Sequence, residues 1–200
     1  ASDVYKRQPV HGGQATWIDS VWRRILIMGL NIEDPVQEFR DSAFHWRKDW
    51  DGLWHGVDDT PGLPPGHWTT AVQLLSQDLD AGLLTDVVDL RGSSWHIFIS
   101  PSGQALIELH VIRDSKETGF VSNDELLEAD CTENEAIYWA AETVHGDLTG
   151  YHHILWPEID GRLFEPSVRD GQPCWADRAG KDTRVFPIGH LDAATSTNAG

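Results

Sequence analysis

The sequence predicts an α+β protein, and three observations carry that reading. Apolar residues recur at three- and four-residue steps through much of the first eighty positions. β-rich runs separated by short glycine-containing connections fill residues 85–112. After position 156, Asp-Gly pairs punctuate a series of short strand-like runs. The expected order is N-terminal helices, a three-stranded antiparallel meander, an acidic helical segment and C-terminal β-hairpins.

Trp17, Ile18, Val21, Trp22, Ile25 and Met28 share one face of a helix over 14–30, which Gly29 and Asn31 stop. Asp34 as N-cap and Pro35 in the first turn open a second helix, with Val36, Phe39, Ala43, Trp46, Trp50 and Leu53 on one side. The two are expected to form a helical hairpin. The stripe Trp46, Trp50, Trp54 is then read as helix-packing surface rather than a ligand platform. GVDDTPGLPPG, Gly56 to Gly66, is a loop, and a third helix follows over His67–Gly82 with Trp68, Ala71, Val72, Leu75 and Leu79 inward.

TDVVDL, SWHIFIS and QALIELHVI read as the meander, with RGS and PSG as its turns. The last of these strands is central, because both its faces are largely apolar. SNDELLEAD opens an acidic helix. NEAIYWAAETVHGDL is a further helix with Ala136, Ile137, Ala140, Val144 and Leu148 inward and Gly150 as its stop. YHHILW, GRLFEP, QPCWAD and TRVFPIG are short strands, with Asp160-Gly161 and Asp170-Gly171 as hairpin turns.

One domain is expected over 9–190, with 9–56 as the helical hairpin and 57–190 as an α+β body, followed by a small polar disordered tail over 191–200. Residues 1–8 are set aside. DVYKRQ, Asp3 to Gln8, is what one frame of a common transposase sequencing adapter encodes, so this stretch reads as a sequencing scar that leaves the true N-terminus and any signal peptide open.

WPEIDGRLFEPSVRDGQPCWAD, Trp156 to Asp177, resembles the tail of small actinobacterial proteins in which a Trp-Pro knuckle with Cys and His residues, and a later Trp-Cys pair, suggest a zinc ribbon. Of those ligand positions this chain keeps Cys174 alone; Glu158, Ile159 and Asp160 follow Trp156-Pro157. The resemblance therefore implies a hairpin held by packing, with no ligand assigned.

Composition narrows the function classes. Ten tryptophans and 40% hydrophobic residues exclude a wholly disordered chain, and ILIM, the densest apolar run near the N-terminus, is flanked by Arg23, Arg24 and Asn31. Cys131 and Cys174 belong to no Cys-x-x-Cys pair, which makes a reducing cytoplasm the default location. Charge is the strongest feature. Residues 1–56 hold seven Lys or Arg against eight Asp or Glu, whereas the remainder holds eight against twenty-four. Between Lys116 and Arg162 there is no Lys or Arg at all. Such a surface repels nucleic acid and anionic membranes and speeds encounter with a basic partner. The expectation is a non-enzymatic, cytoplasmic, acidic binding protein, an inhibitor or immunity-type module. It would dock a basic protein through Asp124, Glu125, Glu128, Asp130, Glu133 and Glu135, with no cofactor and an undetermined oligomeric state.

The rival reading is a metal-assisted hydrolase. Glu142 and His145, three apart, share a helix face, and either His152 or His153 could complete a three-ligand site, although neither HExxH nor a Cx2C pair supports it. The more ordinary role for His145 is a cation near a helix C-terminus. A third constellation sits in the meander: Glu108 and His110 are two apart on one strand face, with His96 across the hairpin, an arrangement that orients a general base or simply satisfies a buried polar pair. No nucleophile elbow or phosphate-cradling glycine loop accompanies it.

Overall fold

The computed structural model describes residues 44–81, 84, 88–113, 116–121, 127–150, 153–179 and 184–192. These all belong to the compact unit Val36–Gly200. The helix expected over 14–30, the first part of the second, most of SNDELLEAD and the polar tail lie outside them.

Mixed α+β architecture is what this part of the chain adopts, as two helices and two antiparallel sheets. The larger sheet holds β1 (Phe44–Asp49), β2 (His55–Gly56), β3 (Asp89–Ile99), β4 (Gln104–Arg113), β5 (Lys116–Val121) and β6 (Leu127–Glu128). Its order is β2-β1-β3-β4-β5, with β6 also paired to β4. The smaller holds β7 (Glu158–Ile159), β8 (Arg162–Arg169), β9 (Gln172–Asp177) and β10 (Val185–Pro187), in the order β10-β9-β8-β7. Helices α1 (Gly66–Ala81) and α2 (Glu133–Gly150) pack on each other, Trp68 meeting Trp139 edge-on at 5.6 Å.

Both helices follow from their apolar period. Trp68, Ala71, Val72, Leu75 and Leu79 of α1 are buried, as are Ala136, Ile137, Ala140, Val144 and Leu148 of α2. Thr132 caps α2: Glu135 accepts hydrogen bonds from the Thr132 backbone N–H at 2.9 Å and from its hydroxyl at 2.7 Å. This is a capping box spelled Thr-Glu-Asn-Glu in the sequence. Thr132→Ala is expected to cost about 1 kcal/mol, read as a lower urea midpoint with an unchanged slope.

Three expectations are corrected. The second helix does not extend through its latter half, because Phe44–Asp49 is strand β1, paired antiparallel with β3 through Trp46↔Ile97 and Lys48↔Trp95. Phe-His-Trp-Arg-Lys-Asp also alternates with period two, and pairing with a buried central strand decides between the two periods. Trp46 and Trp50 are buried all the same, now from the side of the sheet, and Trp50 Nε1 donates to Asp80 of α1 at 3.2 Å. Second, Arg91-Gly92-Ser93 is no turn. β3 runs through it with a register irregularity between Asp89 and Ser94, and Asp89 Oδ1 accepts the Arg91 and Gly92 N–H groups. A Cβ at Gly92 would stand 2.7 Å from Ile112 Cδ1, so a larger residue there would require the Ile112 side chain to shift. The meander is therefore β3-β4-β5, one strand later than expected. Third, Leu127 and Glu128 of SNDELLEAD form β6 and not helix.

At the C-terminal end, Asp160-Gly161 and Asp170-Gly171 have positive φ at both residues (53° and 71°, 50° and 74°), the conformation that two-residue hairpins demand. Arg162 donates to Asp177 at 2.9 Å across β8 and β9, and the buried Cys174 thiol donates to the Ser167 carbonyl at 3.4 Å. Asp78 ties α1 to this region. Its side chain is fully buried, and it accepts from Trp175 Nε1 at 2.7 Å, Gly189 N at 2.6 Å and Leu191 N at 2.9 Å.

Candidate functional site

Two places concentrate chemistry among the described residues. The first is the face of the larger sheet that carries Ser94, His96 and Phe98, opposite the one carrying Trp95 and Ile97. In β3–β4, His96 lies directly across from Glu108 and Ser94 from His110; in β1–β3, His45 sits across from Phe98. Sheet pleating therefore gathers His45, Ser94, His96, Glu108 and His110 on one side. His96 shares a hydrogen bond with His45 Nε2 through its Nδ1 at 2.9 Å and another with Ser94 Oγ through its Nε2 at 3.0 Å. Glu108 Oε2 pairs with His110 Nε2 at 2.5 Å, and the His96 and His110 rings stack with centroids 4.2 Å apart.

The electrostatics decide what this network can do. Burial first, then the neighbouring His110 and His45, push His96 down to about 3. His45 is lowered as well, chiefly by burial and against the pull of Asp58 and Glu108. His96 is thus a neutral imidazole at physiological pH. An imidazole of that basicity is a poor match for taking a proton from Ser94 near neutrality, and Ser94 is itself buried. A chain of neutral hydrogen bonds that fills every ring nitrogen of His96 instead fixes the sheet register and satisfies groups that would be costly to bury unpaired.

The second place is the corner formed by β6, the following turn and the start of α2. Glu128, Asp130 and Glu133 are exposed there, and no ion pair to any of the three occurs among the described residues. Glu135 belongs to the same corner but is occupied by the Thr132 cap, whose hydrogen bonds hold its carboxyl below the ordinary glutamate range. Cys131 sits inside the corner. Burial, then Glu135 and Asp130, push its thiol up to about 11, which keeps it protonated and unreactive. Asp124 and Glu125 lie outside the described residues. Elsewhere in the window without lysine or arginine, Asp147 is buried and Asp160 is paired with Arg184 at 2.8 Å, while Glu142 and Glu158 are exposed.

No protein-family model, curated protein or solved structure matches the chain.

Only part of the hydrolase constellation falls on described residues. Glu142 is exposed on α2, His153 is exposed with a positive φ of 56°, and His152 lies outside the described residues. The His145 ring is half-buried, 6.4 Å from Trp175, with Nε2 buried and without a hydrogen-bond partner. Burial lowers its pKa, so the expectation of a helix-end cation is corrected: His145 stands inside α2, which runs on to Gly150, and is neutral near pH 7. Among the described residues no group of three His, Cys, Asp or Glu is placed to hold a metal ion.

His45 and Ser94 were not singled out from the sequence. Their signal was the alternation of polar and apolar residues in FHWRKD and SWHIFI, masked in the first case by four-residue tryptophan spacing that reads as helix.

Proposed function

We propose that the chain is a non-enzymatic binding protein that docks a basic protein partner on the acidic corner of β6 and α2, in the manner of an inhibitor or immunity-type module. One observation carries this reading: Glu128, Asp130 and Glu133 are all exposed within a short stretch of the sequence window that lacks every lysine and arginine, and no Lys or Arg of the described residues forms an ion pair with them. Carboxylates left uncompensated in this way repel one another, and a cationic surface relieves that repulsion while long-range attraction speeds encounter. Glu133 also lies in the first turn of α2, where a negative charge complements the helix dipole, so Glu128 and Asp130 carry most of the uncompensated charge. Asp124 and Glu125 extend the same acidic run in sequence and belong to the proposed docking set on that ground. The partner is a protein with a lysine- or arginine-rich face, and a cytoplasmic setting accords with two unpaired cysteines. No helix of the described residues is long and apolar enough to cross a membrane.

The test separates a local surface from general negative charge. Binding to an immobilised lysozyme, used as a cationic probe, is measured against salt for the wild type, for Glu128→Gln/Asp130→Asn/Glu133→Gln, and for Asp51→Asn/Asp58→Asn/Asp59→Asn, which removes equal charge elsewhere. The corner triple is expected to lose about tenfold in affinity and to flatten the salt dependence, and the control triple to lose much less. Equal losses in the two triples would reduce the corner to bulk charge. Stoichiometric zinc or iron in the purified protein, lost on His145→Ala, would replace this reading with the metal-assisted hydrolase of Glu142, His145 and His152.

A further inference from the structure

We infer that a cleft between α1 and the β1–β2 region is a binding site for a neutral, hydroxyl-rich ring, a pyranose of a saccharide. The cleft measures about 350 Å³, at the small end of the range for ligand pockets. Its floor is built by helical geometry. Thr69, Gln73 and Gln77 form one four-residue ridge of α1 and Val72, Ser76 and Asp80 the adjacent one, so six side chains on one helix face converge on it. Trp54 and Lys48 supply the walls.

Partner accounting points to the ligand class. Lys48 is committed to the protein, its ammonium donating to the Trp50 carbonyl at 2.7 Å and the Asp49 carbonyl at 3.4 Å. Ser76 is committed too, donating to the Val72 carbonyl and accepting from Trp95 Nε1. Asp80 accepts from Trp50 Nε1 through Oδ1, which leaves Oδ2 able to accept. Gln73 and Gln77 are exposed amides, each offering a donor and an acceptor. Thr69 donates its hydroxyl to the Gly66 carbonyl at 2.7 Å, so the remaining capacity is one carboxylate oxygen, one hydroxyl acceptor and two amides beside an indole. Paired donors and acceptors suit vicinal hydroxyls, and an indole suits the C–H face of a sugar ring. A cationic ligand would meet Lys48, and an anionic one would meet Asp80.

The experiment is a titration of the full chain with methyl glycosides of glucose, galactose and mannose and with maltose and cellobiose. It is followed by the indole N–H resonance of Trp54, assigned from its loss in Trp54→Phe. A saturable shift with at least one neutral sugar, weakened about tenfold or more by Gln77→Ala with the fold intact by circular dichroism, is the expected result. Absence of any shift at saturating sugar would overturn the proposal. So would a response to glucuronate or glucosamine alone, or a shift that Gln77→Ala and Gln73→Ala both leave unchanged. The site is separate from the acidic corner, so lysozyme binding and sugar binding can fail independently.

Discussion

Asp78→Ala is expected to remove roughly 4 kcal/mol of stability and to lower the melting temperature by about 10 °C, as three buried N–H donors lose their shared acceptor. The donors come from distant parts of the chain: Trp175 Nε1 from β9, and the backbone N–H groups of Gly189 and Leu191 from the segment after β10. One carboxylate thus fastens α1 to the C-terminal end of the chain. Burial pushes the Asp78 carboxyl above its ordinary pKa while the three donors pull it back, and they are what allow an acid to sit at 0% exposure. Asp78→Asn should fall between wild type and alanine. Its carbonyl oxygen can keep the Trp175 and Gly189 bonds, but its NH2 group then faces the Leu191 N–H, donor against donor. Urea unfolding of the three proteins gives the ranking, and an alanine variant within about 1 kcal/mol of wild type would mean that water or repacking replaces the carboxylate.

The physical difference between what the sequence disclosed and what it hid is one of range. α1 and α2 were readable because their apolar period is local and no competing period exists in those windows. The Asp-Gly turns were readable because positive φ at two successive positions is a demand few other residue pairs meet. β1 was misread because Trp46, Trp50 and Trp54 satisfy a four-residue spacing that a helix would use, whereas its fate is settled by pairing to β3, some fifty residues on. Arg91-Gly92-Ser93 carries the same local signal whether it turns the chain or kinks it. Asp89 bonding to the two following N–H groups, and the close approach of Ile112, belong to the folded state. At the candidate sites, the proximity of His96, Glu108 and His110 was legible from strand spacing and a short turn, but His45 could not join them while its segment was taken as helix. Glu135 joins two roles in one side chain: its capping box with Thr132 is written locally in the sequence, whereas counting charge reads only its exposed carboxylate.

The histidine cluster carries the second large effect, a loss of stability on mild acidification. His96 is held near 3 in the folded protein against 6.5 for the free side chain, so its folded pKa is lowered and the unfolded chain binds the proton more readily. A histidine shifted in this direction contributes stability that is fully present above about pH 6.5 and is lost as the pH falls towards 3. Between pH 7 and pH 5 the His96 contribution alone should decline by about 2 kcal/mol. His45, lowered by the same burial, adds a smaller change of the same sign. Asp78, raised by burial, works in the opposite direction, and comparing two proteins that both contain it cancels that effect. His96→Gln keeps a donor and an acceptor for His45 and Ser94 but cannot take up a proton. Its unfolding free energy, lower than wild type at pH 7, should therefore decline less steeply on acidification, so that the gap between the two proteins narrows by about 2 kcal/mol at pH 5. Parallel curves would show that His96 is not held neutral by its surroundings. Convergence would show that the sheet face carrying His45, Ser94 and His96 is built for uncharged rings.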